Sequence, residues 1–544
     1  MMHYKQYSLL LLAALTYFTT AIAQPRIKDQ GVIGGNNTDQ FSSLYLTKDG
    51  GLIAGGASYS NISGQKTQNN LGANDYWIVK LDSNRKIQWD KTLGGNGFDE
   101  LDVILQTADG GYILGGSSSS DKSIDKTENS RGIYDYWIVK LDTDGNIQWD
   151  KTIGGNDNDI LRDLRQTSDG GYILGGYSYS DQSGEKTENS RGRFSSDYWV
   201  VKLDAAGAVQ WDKTIGGNYW DLLMALQQTT DGGYILGGES NSDLSGEKTA
   251  AGRGDYDYWI VKLNSNGVIE WDKTIGGSAR DELYALRQTT DGGYIMGGES
   301  YSGVSGEKTG KSKGSSDYWI VKLDSSANIQ WDKTIGGNNI DALTSLQPTS
   351  KGGYILGGSS YSNMSGDKTE NSRGGPDYWI VKINNNGKVQ WDKTVGGNGT
   401  ERLGAVQEIS TNDYVLGGYS YSGISGDKTG GNRGRSLTTT DYWLVELKYD
   451  KPGNVAITQV QNSRLTTPQQ SSTTFSVYPN PVTTVLYIQN ASKTTFILSD
   501  QSGKIMLSKT VEGNGNINVA DIPAGTYYLI NTVTKIAQKV VIIK

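Results

Sequence analysis

The stretch DYWIVKLD at residues 75–82 returns with little change along the whole chain. Its seven copies begin at Asp75, Asp135, Asp197, Asp257, Asp317, Asp377 and Asp441. A fixed period of about 60 residues indicates an array of similar structural units, so the repeat has to be interpreted before any single residue.

One unit contains four short runs in which apolar and polar residues alternate. In the third copy these are LRDLRQ, YILGGYS, DYWVVKL and VQWDKTI. The alternation, and the Tyr, Trp, Ile and Val of the last three runs, are typical of β-strands. Asp169, Gly170 and Gly171 form a hairpin signal between the first two runs, and only the connection between the second and third is long. Four short strands per unit favour a propeller blade over a β-solenoid, whose coils are usually shorter.

The two ends of the array predict that the blades close into a ring. The seventh copy stops after residues 441–450 and never reaches a WDKT run, whereas residues 26–33 precede the first copy as one additional strand. This offset predicts that the N-terminal strand completes the last blade, although it lacks the Trp of the other six fourth strands. Closure removes the exposed edges of an open sheet. The expected fold class is therefore all-β, a seven-bladed β-propeller over residues 24–450.

The strings DYWIVKLD, IQWDKTIGGN and DGGYILGG resemble the bacterial seven-bladed beta-propeller repeat family. The resemblance covers roughly residues 25–450 and implies the propeller fold. It says almost nothing about a ligand, because one fold carries many functions.

The segments outside the repeat predict an exported protein. Residues 1–23 have the Lys5 start, the apolar run at residues 9–15 and the small-residue cleavage site of a secretory signal peptide. Residues 451–474 are polar and are interpreted as a linker. Residues 475–544 alternate differently, with runs at 485–489, 495–499, 504–508, 527–530 and 540–543, which predicts a small β-sandwich.

Three strings in this last segment carry a second resemblance. YPNP at residues 478–481, DQSGK at 500–504 and IPAGTYY at 522–528 are followed by a basic terminus. They resemble the type A C-terminal sorting domain of type IX secretion cargo; the alternative is an adhesive sandwich of the fibronectin kind. The resemblance implies that residues 475–544 engage the type IX machinery and that the protein is secreted or attached to the outer surface of the outer membrane.

Composition excludes several kinds of chemistry. The chain has no Cys, and its one histidine, His3, lies in the predicted signal peptide. Thiolate nucleophiles, His-based triads and the usual zinc sites are therefore excluded from the mature chain. The net charge of −8, without a concentrated basic segment, argues against nucleic acid as a partner, and no segment after the signal peptide is apolar enough to span a membrane.

Meander topology places all the long loops and the crossovers between blades on one face of the ring, here called the long-loop face. An acidic residue recurs in every crossover, and a lysine recurs in every long loop. A ring of carboxylates could bind calcium. The sevenfold repetition of these acids favours a structural role instead, and no cofactor is expected. The acids are Asp39, Asp99, Asp159, Asp221, Asp281, Asp341 and Glu401, and the lysines are Lys66, Lys126, Lys186, Lys248, Lys308, Lys368 and Lys428.

Residues that break the sevenfold pattern are better ligand-binding candidates. Tyr219 and Trp220 lie in a crossover where the other copies are expected to carry small or polar residues. Tyrosines that follow a second strand and arginines late in the long loops complete the candidate set, namely Tyr179, Tyr301, Tyr361, Tyr421, Arg191 and Arg373. Rings beside Arg and acids are the groups that sugar stacking and hydrogen bonding use.

These observations favour a secreted or surface-displayed, non-enzymatic propeller that binds a glycan or a protein. Two alternatives stay open: a hydrolase or lyase that acts on polysaccharide with paired carboxylates, and a structural surface component. No catalytic residue and no metal ligand can be selected, because the acids are equivalent from blade to blade.

Overall fold

The computed structural model describes residues 24–434, 438–449, 476–478, 481–500, 505–532 and 537–543. These residues fall into two compact units, one on each side of residue 453. The predicted signal peptide and the whole of the predicted linker lie outside the described residues, and the domain boundaries stay predictions. Within the described ranges, no helix is long and apolar enough to cross a membrane.

The first unit consists of seven four-stranded antiparallel sheets, each of them one blade. Strand β1 (Arg26–Ile33) precedes blade one, which contains β2 (Asp39–Leu46), β3 (Leu52–Ser58), β4 (Asp75–Leu81) and β5 (Ile87–Leu93). Blade two contains β6 (Asp99–Gln106), β7 (Tyr112–Ser118), β8 (Asp135–Leu141) and β9 (Ile147–Ile153). Blade three contains β10 (Asp159–Gln166), β11 (Tyr172–Ser178), β12 (Asp197–Leu203) and β13 (Val209–Ile215).

The remaining blades repeat this order. Blade four contains β14 (Asp221–Gln228), β15 (Tyr234–Ser240), β16 (Asp257–Leu263) and β17 (Ile269–Ile275). Blade five contains β18 (Asp281–Gln288), β19 (Tyr294–Ser300), β20 (Asp317–Leu323) and β21 (Ile329–Ile335). Blade six contains β22 (Asp341–Pro348), β23 (Tyr354–Ser360), β24 (Asp377–Ile383) and β25 (Val389–Val395). Blade seven contains β26 (Glu401–Ser410), β27 (Asp413–Ser420) and β28 (Asp441–Lys448), to which β1 adds the fourth strand.

The third strand of each blade is buried on both faces because blades pack on both sides of it. Its Tyr ring packs on the Trp of the next blade, as Tyr76 does on Trp137 with ring centroids 4.8 Å apart. The Tyr76 hydroxyl also donates a hydrogen bond of 3.1 Å to the backbone carbonyl of Trp137. The same bond joins blade seven to blade one, where Tyr442 donates to the carbonyl of Trp77 at 3.1 Å. The ring of blades is therefore closed.

The antiparallel pairing of β1 with β28 confirms the predicted closing strand. In blade three, the indole N–H of Trp199 donates to Asp212 in the fourth strand at 3.0 Å. In blade seven, Gln30 takes the place of that aspartate, and its side-chain oxygen accepts from the indole of Trp443 at 3.1 Å. It also accepts from the backbone N–H of Thr429 at 3.1 Å. Gln30 thus performs the structural role that an aspartate performs in the other six blades.

The missing Trp of the N-terminal strand changes both sides of one contact between blades. In blade one the fourth-strand Trp89 packs edge-to-face on Tyr112 of the next blade, with centroids 5.8 Å apart. At the closing junction the register places Asp29 in the Trp position, and Leu52 occupies the position in the neighbouring second strand where the other six blades have Tyr. Lys28 instead pairs with Glu446 at 3.1 Å. The seventh junction therefore lacks the Trp–Tyr contact, and a cavity of about 230 Å³ lined by Asp29, Leu52 and Glu446 lies there.

The crossover acids are buried and hold the crossovers in place. Asp99 accepts hydrogen bonds from Ser118 at 2.5 Å, from Ser120 at 2.9 Å and from the backbone N–H of Gly95 at 2.7 Å. A side chain at the neighbouring Gly94 would collide with Asp75 of the preceding blade, which explains the paired glycines of the motif. Each junction therefore contains two buried acids, one from the third strand of a blade and one from the crossover that follows it.

The long-loop lysines are also buried, and each extends under its own loop. Lys66 donates to the hydroxyl of Thr92 at 2.5 Å, and Lys186 donates to Thr214 at 2.7 Å. Burial lowers the pKa of Lys66 to about 8 in spite of the nearby Asp39 and Asp75. These lysines stabilise the loops and are not available on the surface.

The second unit is a single antiparallel sheet that folds over its own core. It contains β29 (Ser476–Tyr478), β30 (Val485–Ser499), β31 (Ile505–Asn518), β32 (Gly525–Asn531) and β33 (Ala537–Ile542). The two predicted runs at 485–489 and 495–499 form one long strand with register shifts between its halves. The first half pairs with β29 and the second with β32, yet Leu486 and Phe496 share one core with Leu529. This arrangement agrees with the predicted small sandwich.

Replacing Gln30 tests the closing strand. Gln30→Ala leaves the Trp443 indole and the Thr429 N–H without their acceptor, and it removes the bond of 2.7 Å to the carbonyl of Asp427. We expect the free energy of unfolding to fall by about 1–3 kcal/mol, measured by chemical denaturation. The exposed neighbour Asp29 provides the control, because Asp29→Ala is expected to change it by less than about 0.5 kcal/mol. Equal stability of the two variants would contradict this role of Gln30.

The junction acids predict how stability depends on pH. Burial, together with the facing carboxyl group of the same junction, raises the pKa of Asp159, Asp197 and Asp377 to about 7. The folded state therefore holds protons that the unfolded chain, with an Asp pKa near 3.8, releases at lower pH. The free energy of unfolding is thus expected to fall as the pH rises from 5 to 8, and thermal melts at constant ionic strength measure it.

Asp377→Asn removes one of these titrating groups and is expected to reduce the slope of melting temperature against pH. Asp181→Asn, a change at an exposed acid of a long loop, serves as its control and is expected to leave the slope unchanged. A melting temperature that rises steadily from pH 5 to pH 8 would contradict the assignment.

Candidate functional site

The long-loop face of the propeller carries an exposed aromatic group at the junction of blades three and four. Phe194, Tyr219 and Trp220 are 84%, 52% and 45% exposed. The indole N–H of Trp220 donates to the carbonyl of Phe194 at 3.4 Å, and its backbone N–H donates to the side chain of Asn241 at 2.8 Å. We call these three residues the aromatic patch.

Phe194 completes the patch and was missed by sequence reasoning. It lies near the end of the long loop of blade three, in the string RGRFSSDYW. This string has two more residues before its Asp than the corresponding RGIYDYW of blade two. Its backbone has φ of 60°, a left-handed conformation that is unusual for a bulky residue, and the Arg193 guanidinium lies 4.9 Å from its ring centroid. In the sequence, the two inserted residues were the feature that could have indicated an unusual loop at this position.

One expectation about the crossovers is wrong. Phe98 occupies the position of Trp220 in the crossover before blade two and is 42% exposed, and Ile340 occupies it before blade six. Large apolar residues therefore recur at this position, and Trp220 is distinguished by its neighbours Tyr219 and Phe194. Phe98 offers a matched position for comparison.

The four predicted tyrosines occupy equivalent places, one in each of four blades. Tyr179 packs on Tyr177 and Tyr421 packs on Tyr419, each with ring centroids 6.2 Å apart. The hydroxyl of Tyr361 accepts a hydrogen bond of 3.0 Å from Arg402 in the first strand of the next blade. Burial and Glu299 raise the pKa of Tyr301 to about 12. These rings lie on the same face as the aromatic patch but are spread around the ring of blades.

The two predicted arginines are committed to ion pairs between neighbouring loops. Arg191 pairs with Glu188 at 2.7 Å and with Glu247 of the next blade at 2.8 Å. Arg373 pairs with Asp427 of the next blade at 3.0 Å. The same connection recurs along the ring as Arg131–Glu185, Arg253–Glu307 and Lys313–Asp367. The structure thus gives Arg191 and Arg373 a structural partner, and their contact with a ligand stays a prediction.

A cluster of buried carboxylates lies where blades four and five approach the long-loop face. Glu282 is opposite Glu299 on paired strands, and it accepts from Tyr284 and forms an ion pair with Arg280. Arg280 also lies 3.7 Å from Glu239. Burial and the charge of Glu282 raise the pKa of Glu239 to about 7, and one of its oxygens has no hydrogen-bond partner among the described residues. Glu239 could exchange a proton near neutral pH.

The first strands of all seven blades line a central cavity of about 290 Å³. Its walls include Ser43, Met224, Thr344 and Gln407, and its charged side chains come from blades three and five. The sequence analysis placed its candidate residues in the loops and did not predict this cavity. The available signal was that the first strand varies most among the copies, from DQFSSLYL to DILRDLRQ and DELYALRQ.

The described residues contain no group of three or more His, Cys, Asp or Glu side chains placed to hold a metal ion. Each crossover acid already accepts bonds from hydroxyl and backbone N–H groups, as Asp221 does from Ser242 at 3.0 Å and Gly217 at 2.7 Å. Calcium therefore has no prepared position among the crossover acids that the structure describes, and its binding stays a prediction.

Comparison with known proteins identifies the C-terminal unit. Residues 476–544 match the model of the secretion system C-terminal sorting domain. Among characterised proteins, the regulatory protein FlaEY of Caulobacter vibrioides is 27% identical over 140 residues. That match covers 25% of this chain and only 15% of FlaEY.

Similarity to solved structures is weak in sequence and in superposition. Sqt1 from Chaetomium thermophilum is 10% identical with a TM-score of 0.40, covering 78% of this chain and 99% of Sqt1. The Neurospora crassa Pan2 WD40 domain is 10% identical with a TM-score of 0.39, covering 78% of this chain and 97% of that domain. The propeller is established by its own strand pairing and not by these similarities.

The family match and the strand pairing lead to one conclusion. The sorting-domain prediction and the propeller prediction are both confirmed. The chain is an exported seven-bladed β-propeller that ends in the C-terminal sorting domain of type IX secretion cargo, which directs it to the cell surface or the medium.

Proposed function

We propose that the propeller is a non-enzymatic binding module that recognises a glycan or a surface protein through its long-loop face. The aromatic patch is the observation that carries the proposal. Three large rings exposed together on hydrogen-bonded loops present apolar area to solvent, which costs free energy unless a partner covers it. Rigid aromatic side chains bind the faces of sugar rings and serve as anchors in protein interfaces.

The polar groups around the patch suit the same role. Arg193 lies against Phe194, and Asn241 and Asn218 hold the crossover through bonds to Trp220 and Asp243. Amide and guanidinium groups beside rings supply the hydrogen bonds that give direction to a mainly apolar contact. Among the described residues, exposed rings at both of the last two crossover positions and in the adjacent long loop occur together only at this junction, so a ligand would contact one sector of the face.

The proposal includes no catalytic step and no cofactor. The polysaccharide hydrolase or lyase alternative would depend on the carboxylates of blades four and five, where Glu239 has a pKa near 7 through burial and Glu282. Arg280 and Tyr284 already engage Glu282, which ties that acid into a network. Glycosidases use two carboxyl groups that both face the substrate. Binding without catalysis therefore accounts for the aromatic patch. The enzymatic alternative would depend on the carboxylate cluster of blades four and five.

Alanine substitutions in the aromatic patch, compared with one at a matched crossover, test the binding face. The double variant Phe194→Ala with Trp220→Ala is expected to reduce binding to glycan arrays and to surface proteins at least tenfold, because alanine removes the stacking rings. Phe98→Ala removes an equally exposed ring from the matched crossover and is expected to keep binding intact. The melting temperatures of all variants report whether folding is affected.

Two outcomes would contradict the proposal. Equal losses from the Phe98 and the Phe194/Trp220 variants would show that the patch has no special role. Release of new reducing ends from a bound polysaccharide would support the enzymatic alternative.

Deleting residues 475–544 tests the route of export. The variant lacks the sorting domain but keeps every strand of the propeller. We expect a folded propeller that accumulates in the periplasm, measured by fractionation and immunoblotting, with the full chain as the control. We propose that the sorting domain is removed after export, so the mature propeller should run below the mass of the full chain. Normal amounts of the deletion variant outside the cell would contradict the sorting role.

A further inference from the structure

The charged side chains of the central cavity are unevenly distributed and mostly positive. Arg162, Arg165 and Arg287 line it together with a single acid, Asp163. At the position of Arg165 and Arg287 the other five blades carry neutral side chains, Tyr45, Leu105, Gln227, Gln347 and Gln407. Three arginines on one side of a nearly symmetrical channel are not required for building blades, because the other blades are built without them.

Two of these arginines have carboxylate partners. Arg162 lies 3.2 Å from Asp102, and Arg165 lies 3.2 Å from Asp163. Asp163 also accepts hydrogen bonds from the backbone N–H groups of Leu226 at 3.0 Å and Leu164 at 2.9 Å. The acid next to the arginines is therefore already saturated with donors.

Arg287 has only neutral partners. Its Nε donates to the side-chain oxygen of Gln347 at 3.2 Å, and one terminal nitrogen donates to the carbonyl of Leu286 at 2.6 Å. It forms no ion pair among the described residues. Burial and the like charge of Arg165 lower the pKa of Arg287 to about 10, so the group is still charged at neutral pH.

Arg287 is half-buried. A charged guanidinium that is partly withdrawn from water without a carboxylate is costly, and an anion bound beside it offsets that cost. The guanidinium has five N–H donors in a planar fork, and the two bonds above leave others directed elsewhere. A carboxylate or sulfate group matches this fork with two parallel hydrogen bonds. The neighbouring Arg165 would add a second positive charge on the same side.

We propose that the central cavity binds a compact oxyanion, a carboxylate or sulfate group, with Arg287 and Arg165 as its ligands. Its volume of about 290 Å³ corresponds to roughly ten water molecules in the liquid. That space admits a free inorganic anion or one acidic monosaccharide, such as a uronic acid, whose hydroxyl groups would face Ser42, Thr344 and Gln407. This site is separate from the aromatic patch and does not depend on it.

Calorimetric titration of the full chain in a buffer of low ionic strength, free of sulfate and phosphate, tests the proposal. The probes are sodium glucuronate, sodium sulfate and, as the neutral control, glucose. We expect one of the two anions to bind and to raise the melting temperature, and glucose to do neither. Binding of glucuronate but not sulfate assigns the site to an acidic sugar, and the reverse assigns it to an inorganic anion.

Arg287→Gln is expected to weaken anion binding at least tenfold and to leave the melting temperature of the free protein unchanged or higher, since it removes a half-buried charge that forms no ion pair among the described residues. Arg253→Gln is the matched control, because Arg253 is partly buried and paired with Glu307 at 2.6 Å outside the cavity. It should bind the anion as the unmodified chain does, and so should Trp220→Ala.

The proposal is overturned if neither anion binds at millimolar concentration or if Arg287→Gln binds as tightly as the unmodified chain. If Arg287→Gln does not fold, Arg287→Lys in the same titration decides. Lysine keeps the charge but loses the fork, so a several-fold weaker affinity supports the proposal and an unchanged affinity overturns it.

Discussion

The structure depends on the contact between the third-strand tyrosine of one blade and the tryptophan of the next. The Tyr ring packs on the Trp ring, and the Tyr hydroxyl donates to the Trp backbone carbonyl, from Tyr76 and Trp137 round to Tyr442 and Trp77. Both rings are fully buried, so the hydroxyl has no water to bond instead. A single blade cannot bury these rings, and the seventh contact exists only in a closed ring. Cooperative closure follows, without any disulfide, in a chain that has no cysteine.

These contacts between blades constrain the side chains of the third and fourth strands and of the loop residues next to them. Buried lysines such as Lys186, and loop arginines such as Arg191, resemble surface residues in a sequence, yet they hold loops to strands and blade to blade. The first strands and the loop tips are under less constraint. Both regions that break the sevenfold pattern, the aromatic patch and the arginine side of the central cavity, lie there. The scaffold and the candidate sites therefore occupy different parts of the same repeat.

The C-terminal unit has its own core and needs nothing from the propeller pattern. Its long β30–β31 hairpin encloses Leu486, Phe496 and Leu529, all fully buried. An independent core is what the removal proposed above would require, because the propeller would then keep its own core intact. The propeller correspondingly ends within its own sheet, with β28 held between β27 and the N-terminal strand.

The sequence by itself determined the architecture, because period, alternation and turn residues are local properties that recur seven times. The sequence also predicted the sorting domain, and the offset between the two ends of the array predicted the closing strand. Only the tertiary structure decided that Gln30 replaces an aspartate, since the partners of Gln30 lie about 400 positions away. It also decided that Arg191 bonds Glu247, 56 residues later, and that Arg165 and Arg287 meet in one cavity. Gln30 meets its partners because closure of the ring brings the N-terminal strand into blade seven, and the other contacts form because successive blades pack side by side around one axis.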